Sequence, residues 1–355
     1  MLLTGIATGA DVEPIRSIAA QILVIGHRGA SALRPEHTLA SYAKAIEDGA
    51  DFIEPDLVMT RDGVLVARHE NEISGTTNVA DHPEFAARRT AKTIDGTPMH
   101  GWFTEDFTLA ELKTLRARER LPELRPANAR FDGQFEVPTF DELVEFVAAQ
   151  STLRGRVVGI YAEIKHSTYF HAIGLPLEDR LIAAIRAHAH TRTAPLFLQS
   201  FEVGNLQYLR ARLGGEAGHV KLIQLLGEHD ERPFDSLGAP TPTYAAMMRP
   251  DGLRAVARYA DAIGPNKLAV IPRLDDDRLG APTSLVADAH AAGLLVHPYT
   301  FRPENFFLPA GEQAPGGPAT RSDAGAIAEM RAYLDAGIDG LFSDDPALAR
   351  RAVAR

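Results

Sequence analysis

The chain has 355 residues, 45% apolar and 24% charged, with no cysteine and a formal net charge of −10. That is ordinary composition for a globular protein, with enough chain for one large domain or two small ones. Disulfides, zinc–thiolate centres and cysteine nucleophiles are excluded, a basic nucleic-acid surface is not expected, and no apolar run reaches the roughly 18–20 residues of a membrane helix.

The opening segment, MLLTGIATGADVEPIRSIAAQILVIG, is a poor signal peptide because Asp11, Glu13 and Arg16 interrupt its apolar run. The expectation is a cytoplasmic chain, or one whose export signal is not part of this sequence. The first predicted strand, 22–25, runs into His27-Arg28-Gly29. Histidine there can act as acid or base, arginine can hold a phosphate oxygen in its planar fork, and glycine lets the backbone approach closely. A buried structural histidine beside a surface arginine is the plainer alternative. Pro35-Glu36-His37-Thr38 opens a helix predicted over 36–48. Glu36 is a candidate metal or network carboxylate, but a first-turn acid at the helix N-terminus is the preferred reading. His37 is read only as a neighbour.

The second strand, 51–57, carries Glu54 and Asp56, two residues apart and so on one face. Its other members are largely apolar, so the strand is mostly buried. Two buried carboxylates side by side repel unless a cation or a proton joins them. Oxygen ligands on a rigid strand suit a hard divalent ion such as Ca²⁺ or Mg²⁺. Asp62-Gly63 suits a tight turn, so 64–68 is predicted to return antiparallel beside 51–57. That strand ends at His69, which with His27 forms a candidate acid–base pair.

Residues 71–107 are polar and read as an insertion, whose Trp102 either covers the site or packs. Helices predicted at 108–118 and 139–150 lead to a strand at 157–164 ending Tyr161-Ala162-Glu163-Ile164-Lys165. Glu163 and Lys165 again share a face. Glu163 is the third candidate metal ligand and Lys165 a point charge for a phosphate oxygen, with a simple ion pair as the alternative. A helix over 178–189 carries His188 near its end; His188 and His190 are expected to be solvated. Strand 196–200 leads into Phe201, a pocket wall or a packing residue. Helix 202–213, strand 221–225, helix 251–260, strand 262–264, helix 283–292 and strand 294–299 follow, the last with Tyr299 as a candidate pocket wall. Further insertions are expected at 227–250 and 302–322, both rich in Pro and Gly. Helix 323–336 and strand 340–343 lead to Asp344-Asp345-Pro346, read as a turn and helix start.

Strands alternating with helices imply parallel pairing. With 64–68 set aside as a hairpin strand, eight strands can close as a (β/α)₈ barrel. The expected class is α/β, one domain over 1–355, with insertions at the C-terminal face of the strands. An open doubly wound sheet is the rival. It is disfavoured because no GxGxxG follows the first strand and chemistry-bearing residues end many strands. The residues read as a metal-assisted phosphoester site.

In chain order, HRGAS, PEHT, GADFIEPD, TRDGVLVARHE, EIK, QSF, VHPYT and GIDGLFSDDP resemble the motifs of the glycerophosphodiester phosphodiesterase family, from His27 to Pro346. PEHT, VHPYTFR and the long insertions are similar to the larger bacterial members, which implies a periplasmic or secreted protein. The resemblance implies a TIM barrel with one divalent ion, Ca²⁺ before Mg²⁺, held by Glu54, Asp56 and Glu163. It implies that His27 and His69 are the acid–base pair and that Arg28 and Lys165 contact phosphate. The implied reaction is hydrolysis of glycerophosphodiesters, small-molecule substrates, to sn-glycerol 3-phosphate and an alcohol. Where the family usually has Asp after the second histidine, this chain has Glu70, whose extra methylene changes its reach toward His69 or the metal network. Two alternatives stand. A lysophospholipase D or sphingomyelinase D needs an apolar tail groove and membrane contact, and the loops show few clustered aromatics. A non-catalytic phosphodiester-binding barrel would be favoured by loss of a key residue, and none is lost.

Overall fold

The computed structural model describes residues 21–214, 218–236 and 242–354. The leader reading of the N-terminal segment, and residues 237–241 of the second expected insertion, lie outside the described residues. The strands are β1 (Leu23–His27), β2 (Phe52–Glu54), β3 (Asp56–Met59), β4 (Leu65–Ala67), β5 (Thr90–Ile94), β6 (Thr97–Gly101), β7 (Gly159–Ile164), β8 (Leu196–Ser200), β9 (Val220–Leu226), β10 (Ala262–Pro265), β11 (Leu295–Val296) and β12 (Gly340–Ser343). Eight of them pair in parallel in the order β11-β10-β9-β8-β7-β2-β1-β12. Backbone bonds from Asp339 N to Val296 O (3.0 Å) and from Phe301 N to Phe342 O (2.8 Å) draw β12 against the chain around β11. The result is a nearly closed (β/α)₈ barrel ringed by helices, as expected.

Pro55 has no N–H to give a ladder and splits the predicted 51–57 strand into β2 and β3. β2 lies between β1 and β7, while β3 pairs with the end of β7. β4 returns antiparallel along β3, Leu57 facing Ala67, as the Asp62-Gly63 turn predicts. Other elements are shorter than the pattern suggests. The 108–118 helix is only Leu109–Leu112, stopped after one turn behind a Thr108–Glu111 capping box. The 294–299 strand is only Leu295–Val296. Inside the first insertion β5 and β6 form a hairpin. Its Asp95-Gly96 turn has positive φ at both residues (47° and 80°), the signature of a tight hairpin turn.

The core has two layers. Between sheet and helices lies one large apolar cluster. Inside the barrel Leu23, Ile25, Phe52, Tyr161, Phe197, Ile223, Ala262 and Phe342 form a plug. Phe52 stacks on Phe197 with ring centres 4.8 Å apart, and Tyr161 meets Phe197 and Phe342 edge-on at 4.8 and 4.9 Å. Phe52 occupies the space a Cβ on Gly159 would need, so only glycine fits at the start of β7. The plug fills the interior with apolar side chains and leaves the C-terminal strand ends for chemistry. Trp102 is buried and donates from its ring nitrogen to Phe85 O at 2.7 Å, so it packs the insertion. Among the described residues no helix is long and apolar enough to cross a membrane.

Candidate active site

Strand register assembles the site. His27 faces Glu54 across β1 and β2, Asp56 faces Glu163 across β3 and β7, and Glu163 faces Gln199 across β7 and β8. The break at Pro55 does not separate the two acids. Glu54, Asp56 and Glu163, all buried, each offer an oxygen within 4.8 Å of the others. Burial and mutual repulsion push Glu54 well above the usual carboxylate range. Burial does the same to Glu163, against the pull of Lys165. Burial works against Asp56 too, but Lys165, His69 and His37 hold it well below. Asp56 Oδ1 is buried with no hydrogen-bond partner. Three crowded oxygens, one of them orphaned, fit a hard divalent cation, which would replace the protons the cluster otherwise needs.

Arg28 (φ 57°) and Gly29 (φ 92°) turn the chain sharply after β1. A Cβ on Gly29 would strike Ser41, so the turn requires glycine. This turn sends Arg28 N to Glu54 Oε2 (2.8 Å) and lays the guanidinium beside Glu36 Oε2 (3.0 Å) and Asp56 Oδ2 (3.5 Å). Lys165 donates to Glu163 Oε1 at 2.8 Å, so the ion pair of the plainer reading is present. Its cation also faces the Phe201 ring at 5.8 Å.

Each histidine is held by a carboxylate. His27 Nδ1 meets Asp344 Oδ1 at 2.6 Å, because β1 and β12 run in register up to Gly26 and Ser343. His69 Nδ1 is hydrogen-bonded to Glu70 Oε1. Burial and Arg28 lower His27, against the opposing pull of Asp344. Enclosure, Arg28 and Lys165 push His69 down to about 3. Both rings line one cavity of about 140 Å³ with Arg28, Glu54, Glu163, Gln199, Phe201, Tyr299 and Arg302. A wider cleft of about 560 Å³ shares Glu163 and Phe201 with it and is walled by Asp95, Glu202, Asp230, Glu231 and Tyr244.

Several expectations are corrected. The helix after Pro35 begins at Leu39, with Thr38 as its cap. Glu36 therefore precedes it and is no first-turn acid. It is buried, paired with Arg28 and Arg120, and held well below the usual range by these arginines in spite of burial. His37 is more than a neighbour. Fully buried, it places Nε2 2.9 Å from Asp56 Oδ2 and Nδ1 2.8 Å from Tyr42 Oη, fixing that carboxylate. In Asp344-Asp345-Pro346 only Asp345 and Pro346 start a helix. Asp344 holds His27. His188 pairs with Asp141 (2.7 Å) and His190 with Val158 O (2.9 Å), so neither is merely solvated. Residues missed altogether are Arg120, Arg125 and Arg302, which bind the carboxylates behind the histidines. No spacing rule ties an arginine to an acid 50 or 219 positions away.

Residues 27–348 match the glycerophosphoryl diester phosphodiesterase family. The glycerophosphodiester phosphodiesterase GDPD6 of Arabidopsis thaliana is 35% identical over 335 residues, 90% of this chain and 82% of that protein. A glycerophosphodiester phosphodiesterase of Haemophilus influenzae is 27% identical over 96% of each chain. The fold matches an Oleispira antarctica phosphodiesterase solved in complex with the product sn-glycerol-3-phosphate (TM-score 0.58, 19% identity, 94% of this chain and 98% of that one). It also matches an Agrobacterium tumefaciens glycerophosphodiester phosphodiesterase (TM-score 0.56, 20% identity, 94% and 100%). With the motifs in order and the match spanning nearly the whole barrel, the chain belongs to the glycerophosphoryl diester phosphodiesterase family of hydrolases.

Proposed function

We propose that this chain hydrolyses glycerophosphodiesters to sn-glycerol 3-phosphate and an alcohol, with His27 and His69 as its acid–base pair. The observation that carries the reading is a buried cluster of three carboxylates, two of which line one small cavity together with two carboxylate-held histidines. Glu54, Asp56 and Glu163 would hold a divalent cation, Ca²⁺ or Mg²⁺, which would supply Lewis acidity toward the phosphate. Arg28 and Lys165 bind the phosphate and stabilise the charge that develops on it. One imidazole accepts the proton of the attacking hydroxyl as its oxygen bonds to phosphorus. The other, protonated beside the bound phosphate anion, donates its Nε2 proton to the alcohol oxygen as its bond to phosphorus breaks. Asp344 and Glu70 keep each ring's Nδ1 occupied, leaving Nε2 for the reaction. Phe201 and Tyr299 wall the cavity, and the wider cleft has room for the leaving alcohol.

An acyl-chain substrate fits these surroundings poorly, because five carboxylates line the wider cleft. The test is release of sn-glycerol 3-phosphate from a panel of glycerophosphodiesters, with lysophosphatidylcholine as the competitor, after chelation and re-addition of Ca²⁺ or Mg²⁺. Metal-restored turnover of the small diesters is expected. Turnover that survives chelation, or preference for the lysolipid, would overturn the reading.

A further inference from the structure

Both carboxylates behind the histidines are gripped from the same short segment. Arg120 donates from Nε and Nη2 to Glu36 (2.8 and 2.6 Å) and from Nη1 and Nη2 to Glu70 (3.0 and 2.7 Å). Five residues on, Arg125 donates from Nη2 to Asp344 Oδ2 (2.6 Å), from Nε to Glu304 Oε1 (2.8 Å) and from Nη1 to Ser31 O (3.0 Å). Neither arginine lines the catalytic cavity. Arg125 reaches it through Asp344 and His27, and Arg120 through Glu70 and His69 and, by a second route, through Glu36 to Arg28.

The segment is itself braced. Glu119 N donates to Asp132 Oδ1 (2.7 Å), Leu121 N to Glu119 Oε1 (2.8 Å), Arg125 N to Leu121 O (2.8 Å), and Asn128 Nδ2 to Ser31 O (3.1 Å). Pro126 begins a short helix immediately after. A braced backbone matters because Glu70 is adjacent to its own histidine and has three side-chain torsions. Left alone it would sample several rotamers, at an entropic cost whenever it met His69. A planar, two-pronged guanidinium fixes both carboxylate oxygens at once, which an ammonium does not. The extra methylene of Glu70 is thereby taken up at a fixed position.

We propose that residues 119–126 act as a positioning strap for both imidazoles, Arg120 setting His69 through Glu70 and Arg125 setting His27 through Asp344. The proposal rests on the two-histidine reading above. These arginines are positioning residues, since nothing places them against substrate.

The test is a pair of crossed double-mutant cycles on the full chain with its metal. The substrate is glycerophosphocholine, whose alkoxide leaving group needs a proton, with released sn-glycerol 3-phosphate read by a coupled assay. Arg120→Gln should lower kcat by about 10–100-fold with little change in KM, as loss of an outer hydrogen-bonding partner does elsewhere. The loss should shrink by at least about fivefold in a His69→Ala background, the remainder passing through Glu36 to Arg28, and persist in full in His27→Ala, because a positioning effect disappears with the group positioned. Arg125→Lys, which keeps the buried charge for folding, should show the mirror pattern. Arg120→Lys should recover part of the loss. Equal costs in both histidine backgrounds would mark Arg120 as general scaffolding and overturn the proposal, as would parent-like kcat in Arg120→Gln. If His69→Ala or His27→Ala alone turns over normally, the acid–base reading itself fails, and the single variants show this before any cycle is built.

Discussion

Asp344→Asn isolates what the carboxylate does for His27. The carboxylate accepts from His27 Nδ1 on Oδ1 (2.6 Å) and from Arg125 and Arg302 on Oδ2 (2.6 and 3.1 Å). An asparagine has the same outline but one acceptor and one donor group. Arginine can only donate, so the amide oxygen must take the Oδ2 position and the amide NH₂ must face His27. Nδ1 is then forced to be the acceptor, and the ring proton moves to Nε2, the nitrogen that meets substrate. Loss of one charge-assisted hydrogen bond to an imidazolium is about 1.5–3 kcal/mol, or roughly 10–150-fold in rate. Tautomer inversion of a carboxylate-held catalytic histidine has cost up to about 10⁴-fold in a serine protease. The expected fall in kcat is therefore between about 10-fold and 10⁴-fold, with KM nearly unchanged because His27 acts on the transition state. Release of sn-glycerol 3-phosphate at saturating metal measures it, with circular dichroism to confirm folding. A folded Asp344→Asn enzyme with kcat within about fivefold of the parent would show that His27 needs no such partner, outside the loss worked out above.

Three further outcomes are expected. In excess chelator Glu54→Gln should melt no lower than the parent, because burial, Asp56 and Glu163 already disfavour its charge; with Ca²⁺ present the order should invert, and a variant weaker in both conditions would argue against the cation site. Burial raises Glu119 to about 7 although Arg125 opposes it. The folded chain thus keeps a proton that the unfolded chain gives up near pH 4.3, and the stability tied to this group drains away as pH rises from there to about 7. Glu119→Gln should accordingly gain in melting temperature over the parent between pH 5 and pH 8, and a constant difference would count against the raised value. Gly159→Ala should lower the urea midpoint by the equivalent of about 1–3 kcal/mol, the usual cost of overpacking, since its methyl group would strike Phe52; an unchanged midpoint would mean that the plug is loose.

The parts of this molecule legible in the sequence are those encoded locally. Alternating strands and helices, the Asp62-Gly63 return and the two-residue spacings of Glu54 with Asp56 and Glu163 with Lys165 all follow from period-2 geometry within one segment. The β5–β6 hairpin was equally local. Its Ile94-Asp95-Gly96-Thr97 carries the Asp-Gly turn signal, but the polar strands on either side hide the alternation. What sequence could not supply was pairing at a distance. Asp344 looks like a helix-start residue, because Asp345 beside it is one. Only the β1–β12 register makes it His27's partner. Glu36 looks like a helix acid until Thr38 takes the cap and Arg120, from the first long excursion, arrives beside it.

Because the histidines and acids sit one to a strand end around the mouth, turnover is a meter of closure. His27 contributes nothing until the last strand lies beside the first and delivers Asp344. The cation seat needs β2, β3 and β7 in their final alignment. A one-residue slip anywhere in that ladder swaps every inward side chain for an outward one. A partly assembled barrel should thus be silent rather than slow. Recovery of hydrolysis during refolding should follow the final seam, not the earlier growth of helix signal.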